Sequence, residues 1–107
     1  MIPQIQPDEL KRRLDGGEPV FLLDVRNDDE YAYCRLPGSV LIPLPELPQR
    51  IDEVNADDAL VVVYCHHGVR SLHGASLLMR AGLSNVASLA GGIDAWSLVI
   101  DPAVPRY

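Results

Sequence analysis

Cysteine is scarce in this chain of 107 residues: the two present, Cys34 and Cys65, form no disulfide framework and suit a reducing compartment better than a secreted one. Basic residues are also few, nine against fifteen acids, for a net charge of −6. That balance argues against nucleic acid or an anionic membrane as partner, since both reward a basic patch. A small anionic substrate stays compatible, because screening lets a local site outvote the global charge. Long apolar runs are missing too. The longest, Ala59 to Cys65, falls far short of the ~20 residues that span a bilayer. The opening Met1-Ile2-Pro3-Gln4 has neither a basic start nor an apolar signal region, so the expected location is the cytoplasm. Repeats and low-complexity stretches are absent. What is there, 48% hydrophobic and 22% charged residues, is the balance of one globular domain over 1–107.

Prolines and glycines separate short apolar runs. Val20 to Val25, broken only by Asp24, and Ala59 to Tyr64 lack polar alternation, the pattern of strands buried on both faces of a parallel sheet. Shorter strands are expected at Ser39–Ile42 and Val86–Leu89. Helices are expected after Pro7-Asp8-Glu9, around Asp28–Tyr33, around Leu47–Val54, over Ser71–Ala81 and near Ile93–Leu98. Asp28-Asp29-Glu30 reads as an acidic helix start on a solvated surface, and Trp96 and Tyr64 as core. The segment 101–107, with two prolines, is expected to be extended. Strands alternating with helices predict an α/β fold: a central parallel sheet of about five strands with helices on both faces.

The chemically informative stretch is Tyr64-Cys65-His66-His67-Gly68-Val69-Arg70-Ser71. A buried strand ends at Cys65, a tight turn follows, and a helix is expected to begin near Ser71. Ligands of open α/β sheets bind at this end of the strands. Turn N–H groups and the positive helix end can converge there on one anionic atom, with Arg70 adding charge. Gly68 gives the turn its conformational freedom. A lone cysteine at a strand end is often only a small buried hydrophobe. The Gly, Arg and Ser that follow at a helix head favour a nucleophilic thiolate instead.

Cys-His-His-Gly-Val-Arg-Ser resembles the Cys-x-x-Gly-x-Arg-Ser loop of rhodanese-domain sulfurtransferases. Leu23-Asp24-Val25-Arg26 resembles the family's Asp-x-Arg strand end. Glu30-Tyr31, with Leu36-Pro37-Gly38-Ser39 and Ile42-Pro43, resembles its Glu-Tyr-x-x-Gly-His-Ile-Pro-Gly-Ala block. Gly91-Gly92-Ile93-Asp94-Ala95-Trp96 resembles its Gly-Gly-x-x-Ala-Trp signature. The resemblance implies that Cys65 takes a sulfane sulfur from thiosulfate or another persulfide-type donor and passes it to cyanide, a thiol or a protein. It implies a cradle of N–H groups from His66, His67, Gly68, Val69, Arg70 and Ser71, with Arg70 on the anionic donor and Asp24 and Arg26 as supports. No cofactor is implied.

Two positions depart from the pattern. Cys34 replaces a glycine and reads either as a resolving thiol or, preferably, as a tolerated loop substitution; Arg35 replaces a histidine and either adds charge to the donor site or is solvated. Metal binding by His66, His67 and His73 is disfavoured by their spacing. A rhodanese-like phosphatase or arsenate reductase is the closest enzymatic rival, but four residues separate Cys65 from Arg70 where cysteine phosphatases have five. A non-catalytic module would typically lack the cysteine. The ending through Asp101-Pro102 to Val104-Pro105-Arg106-Tyr107 resembles rhodanese domains fused to ubiquitin-like-protein-activating enzymes, which suggests a sulfur-relay partner in thio-cofactor or thio-tRNA synthesis.

Overall fold

A computed structural model describes residues 2–107. Strands β1 (Gln4–Ile5), β2 (Val20–Asp24), β3 (Val40–Leu41), β4 (Leu60–Tyr64) and β5 (Val86–Leu89) form one parallel sheet in the order β1-β5-β4-β2-β3. The helices are α1 (Pro7–Asp15), α2 (Asp28–Tyr33), α3 (Val69–Arg80) and α4 (Gly92–Val99).

Side chains of β2, β4 and β5 alternate between two cores, as the two-residue period of a strand requires. Leu22, Val62, Tyr64, Ala87 and Leu89 pack with Leu10 of α1 and Ile93 and Trp96 of α4. Leu23, Val61, Val63 and Val86 pack on the other face with Ala75 and Leu78 of α3. Both faces of the central strand are therefore dry, which is why its sequence is an unbroken apolar run. Each fully buried Leu, Ile or Val contributes about 1.5–3 kcal/mol. Gly74 lets α3 lie close to the sheet, because a Cβ there would stand 3.2 Å from a Val63 methyl.

Three expectations change. Around Leu47–Val54 the chain forms 3₁₀ turns, Leu44–Gln49 and Ile51–Glu53, instead of an α-helix. Pro48 lies inside the Leu44–Gln49 turn, where it has no N–H to donate and its ring crowds the preceding residues, which disfavours a continuous α-helix running on from Leu44. Leu47, Ile51 and Val54 still share the core beneath α3. β1 was not expected: two residues carry no periodic signal, and this edge strand exists through its pairing with Ser88 and Leu89 of β5. The segment 101–107 is not simply extended. Val104 N–H donates to the Asp101 carbonyl (3.1 Å), and the buried Val104 carbonyl accepts from Ser97 Oγ (2.6 Å). This turn directs Tyr107 back towards the C-terminal end of β2, where its hydroxyl meets Arg26.

Candidate active site

Cys65 follows directly on β4, and the turn from His66 to Gly68 leads into α3, which begins at Val69, two residues earlier than its hydrophobic period suggests. Gly68 is left-handed (φ +104°) and turns the chain so that the first N–H groups of α3 face back to the cysteine. Cys65 Sγ accepts hydrogen bonds from Gly68 N–H (3.1 Å) and Ser71 N–H (3.3 Å). The Ser71 hydroxyl stands 3.5 Å away and is tied to the Ser88 hydroxyl on β5 at 2.7 Å. Cys65 is 1% exposed and Ser71 fully buried. N–H donors and the positive end of a 12-residue helix thus converge on a sulfur in a low-dielectric setting, an arrangement that holds negative charge on that atom.

The turn is held from below by α4. Ile93 N–H donates to the Cys65 carbonyl (2.9 Å) and Asp94 N–H to the His66 carbonyl (3.1 Å), so two orphan donors of the α4 N-terminus cap the turn's carbonyls. Gly92 is left-handed, and a Cβ there would collide with both carbonyl oxygens. Gly91 is left-handed as well, and a Cβ there would collide instead with the Ala95 side chain, so each glycine of the pair has its own steric reason.

Arg70 is turned onto Glu30 of α2, whose two carboxylate oxygens accept from its terminal nitrogens at 2.7 and 3.0 Å. Glu30 also accepts from Asn27 N–H (3.0 Å) and from the Tyr107 hydroxyl (2.7 Å). The Arg70 hydrogen bonds outweigh burial and hold the Glu30 carboxyl down to about 2. The Tyr107 hydroxyl in turn accepts from Arg26 Nη1 (2.9 Å), and burial pushes its own proton loss up to about 12, so it stays a donor to Glu30. Arg26 and Asp24 form a fully buried ion pair: Asp24 accepts from the Arg26 backbone N–H and from Nε and Nη2. Arg26 Nη2 also reaches the Cys34 carbonyl (2.6 Å). Burial lowers the Arg26 guanidinium's proton affinity, and the hydrogen bonds and charge of Asp24 together with those of Tyr107 more than reverse this. Asp24 and Arg26 therefore brace Tyr107 and the chain after α2, with no hydrogen bond to Cys65 among the described residues.

The remaining expected site residues are spread around this centre. His66 stacks on the Tyr107 ring (centroids 3.9 Å, planes 8° apart) and against His67 (3.9 Å). Burial first, then His67, lowers its proton affinity, which keeps it neutral near pH 7. His67 and Val69 point into solvent. Gly68 and Ser71 are the two residues of the loop, among those described, whose N–H groups bond Sγ. Cys34 packs in the core of α1 and α4, whereas Cys65 packs in the core beneath α3, so the structure does not bring the two thiols together. Arg35 lies over the Tyr31 ring (4.5 Å). No group of three or more His, Cys, Asp or Glu among the described residues stands where it could hold a metal. No helix among them is long and apolar enough to cross a membrane. Two cavities, of about 310 and 420 Å³, are lined by residues outside the Cys65 loop.

Sequence reasoning missed Glu30 and Tyr107. Glu30 looked like one more acid in a solvated helix start, and Asp28 and Asp29 are indeed exposed. Its partner lies forty residues away and is fixed only by the fold.

The rhodanese-like domain family model matches residues 6–98. A sulfurtransferase of Allochromatium vinosum is 36% identical over 97 residues, covering 91% of this chain and 90% of the relative. A Bacillus subtilis (strain 168) protein named as a sulfur carrier is 34% identical over 96 residues, covering 90% of this chain. The chain spans about half (51%) of that relative's length. The crystal structure of a rhodanese-like domain protein from Staphylococcus aureus superposes with a TM-score of 0.84 at 30% identity, covering 99% of each chain. The glycine-built turn around Cys65 and these likenesses agree, and the chain belongs to the rhodanese-like domain family.

Proposed function

We propose that this domain is a sulfurtransferase that carries sulfane sulfur on Cys65. The observation that supports it most is the pair of backbone N–H groups, Gly68 and Ser71, directed at a buried sulfur at the head of α3. The thiolate attacks the outer sulfur of a donor such as thiosulfate. A sulfur–sulfur bond forms at Cys65, and sulfite leaves with the electron pair of the bond that breaks. The terminal sulfur then sits about 2.05 Å beyond Sγ and carries the charge within reach of the loop's N–H groups. Cyanide, a thiol or a protein thiolate attacks that sulfur and restores the Cys65 thiolate. Arg70 flanks the anionic donor, His66 and His67 shape the entrance, and Asp24 and Arg26 keep the surrounding chain in place.

A second reading is that the domain relays sulfur to a protein partner, as in thio-cofactor or thio-tRNA synthesis. The sulfur-carrier name of one relative and the pairing of Arg70 with Glu30 favour it. Phosphatase or arsenate chemistry is disfavoured by the four-residue spacing from Cys65 to Arg70. The test is thiocyanate formation from thiosulfate and cyanide. Wild type is expected to turn over, and Cys65→Ser to lose at least ~10³-fold, as removal of a nucleophile does. Substantial turnover by Cys65→Ser would refute the assignment.

A further inference from the structure

An arginine that receives an anion offers an unpaired charge, and Arg70 is already held in a two-pronged ion pair. Both of its terminal nitrogens are engaged by Glu30, whose side chain is 13% exposed against 33% for Arg70. Glu30 is itself fixed from three sides: Asn27 N–H at the cap of α2, the Tyr107 hydroxyl, and Arg70. Tyr107 is fixed in turn by Arg26 and by its stack on His66. Asp24, Arg26, Glu30 and Arg70 therefore form a continuous chain of two anions and two cations, linked by one tyrosine hydroxyl, with no net charge. A dianion beside Cys65 meets a neutralised guanidinium. If it displaces Glu30, it leaves a mostly buried carboxylate unpaired, which is costly.

Building on the persulfide reading, we propose that Glu30, positioned by Tyr107, is a specificity-determining residue that makes the Cys65 site select sulfane sulfur donors bearing a single negative charge, such as thiosulfonates and persulfides, over small dianions such as thiosulfate. Thiosulfate and methanethiosulfonate separate charge from chemistry. In each, the Cys65 thiolate attacks the outer sulfur, a sulfur–sulfur bond forms, and the old one breaks. Sulfite (two negative charges) or methanesulfinate (one) leaves with the electron pair, so charge balances in both reactions.

The experiment loads the full chain with each donor in turn and follows the mass gain of one sulfur with time. The readout is the ratio of second-order loading constants, thiosulfate over methanethiosulfonate. Glu30→Gln removes the neutralising charge and should raise that ratio about tenfold or more, since one unit charge at contact near a protein surface is worth several kcal/mol before screening. Tyr107→Phe loosens Glu30 without removing it, and should raise the ratio by a smaller factor, about two to five. The double variant should not exceed Glu30→Gln alone, because Tyr107 acts through Glu30. Glu30→Asp, which keeps the charge, should stay closer to wild type than Glu30→Gln does. A merely structural role would lower both loading constants together. A ratio that is unchanged or lower in Glu30→Gln and in Tyr107→Phe, with methanethiosulfonate loading retained, overturns the proposal and leaves the persulfide reading standing. A wild-type chain that gains no sulfur from either donor overturns both. Thermal melts of each variant establish that it is folded, and Tyr107→Phe carries the test if Glu30→Gln is not.

Discussion

Arg26 and Arg70 are each clamped by a carboxylate near the C-terminal edge of the sheet, yet their surroundings differ. Arg26 and Asp24 are both fully buried, and every Arg26 side-chain nitrogen is bonded. Arg70 is one-third exposed and beside the cysteine loop, with Glu30 as its hydrogen-bonding partner among the described residues. The same chemistry thus serves two purposes. A sealed ion pair fixes a loop, because breaking it strands a charge in a dry interior. A half-open one can respond to a substrate, because water compensates part of any rearrangement. Tyr107 touches both pairs and joins the structural end of the cluster to the chemical end.

That contrast can be broken by substitution. Arg26→Ala should have the largest effect on the fold, about 3–5 kcal/mol in urea unfolding, because Asp24 is left buried and uncompensated. Arg70→Ala should cost about 1 kcal/mol or less in the same experiment, in the range of partly exposed pairs. It leaves the Glu30 carboxylate facing the loop, however, so thiosulfate loading should fall about tenfold or more. If Arg26→Ala were the milder change in unfolding, the two clamps would not differ as described. The smallest effect concerns acid. Glu30 titrates at about 2 in the folded chain against an ordinary 4.5, chiefly through its Arg70 hydrogen bonds. A folded value below the unfolded one stabilises the fold above 4.5, and that contribution fades as the pH falls from 4.5 towards 2. The stability difference between wild type and Glu30→Gln should therefore shrink over that interval and stay flat above it. A difference that grew on acidification would contradict the pairing.

The sequence made some of this legible and hid the rest for physical reasons. Buried on both faces, β2 and β4 had to be continuous apolar runs, so they were visible, as was the amphipathic α3. The loop from Cys65 to Ser71 was visible because its donors are backbone groups, and Gly68 marks the turn that aims them. Gly91-Gly92 was recognisable as a motif, but the reason for Gly92, carbonyls that leave no room for a Cβ, needed the packing of α4 under the turn. Pro48 stood in plain view, yet the apolar spacing of Leu47, Ile51 and Val54 fits 3₁₀ turns as well as a helix. Glu30 and Tyr107 stood within recognisable stretches, but nothing local marked their partners, since each acts on residues distant in sequence and only the fold brings them together.

Sulfur carried on Cys65, as proposed, would be read directly by intact mass. The purified chain is incubated with thiosulfate and separately with methanethiosulfonate, cleared of excess donor and weighed beside Cys65→Ser and Cys34→Ser. A gain of one sulfur, about 32 Da, is expected on wild type and Cys34→Ser and none on Cys65→Ser. No gain with either donor while Cys65 remains open to alkylation, or an equal gain on Cys65→Ser, would contradict that proposal.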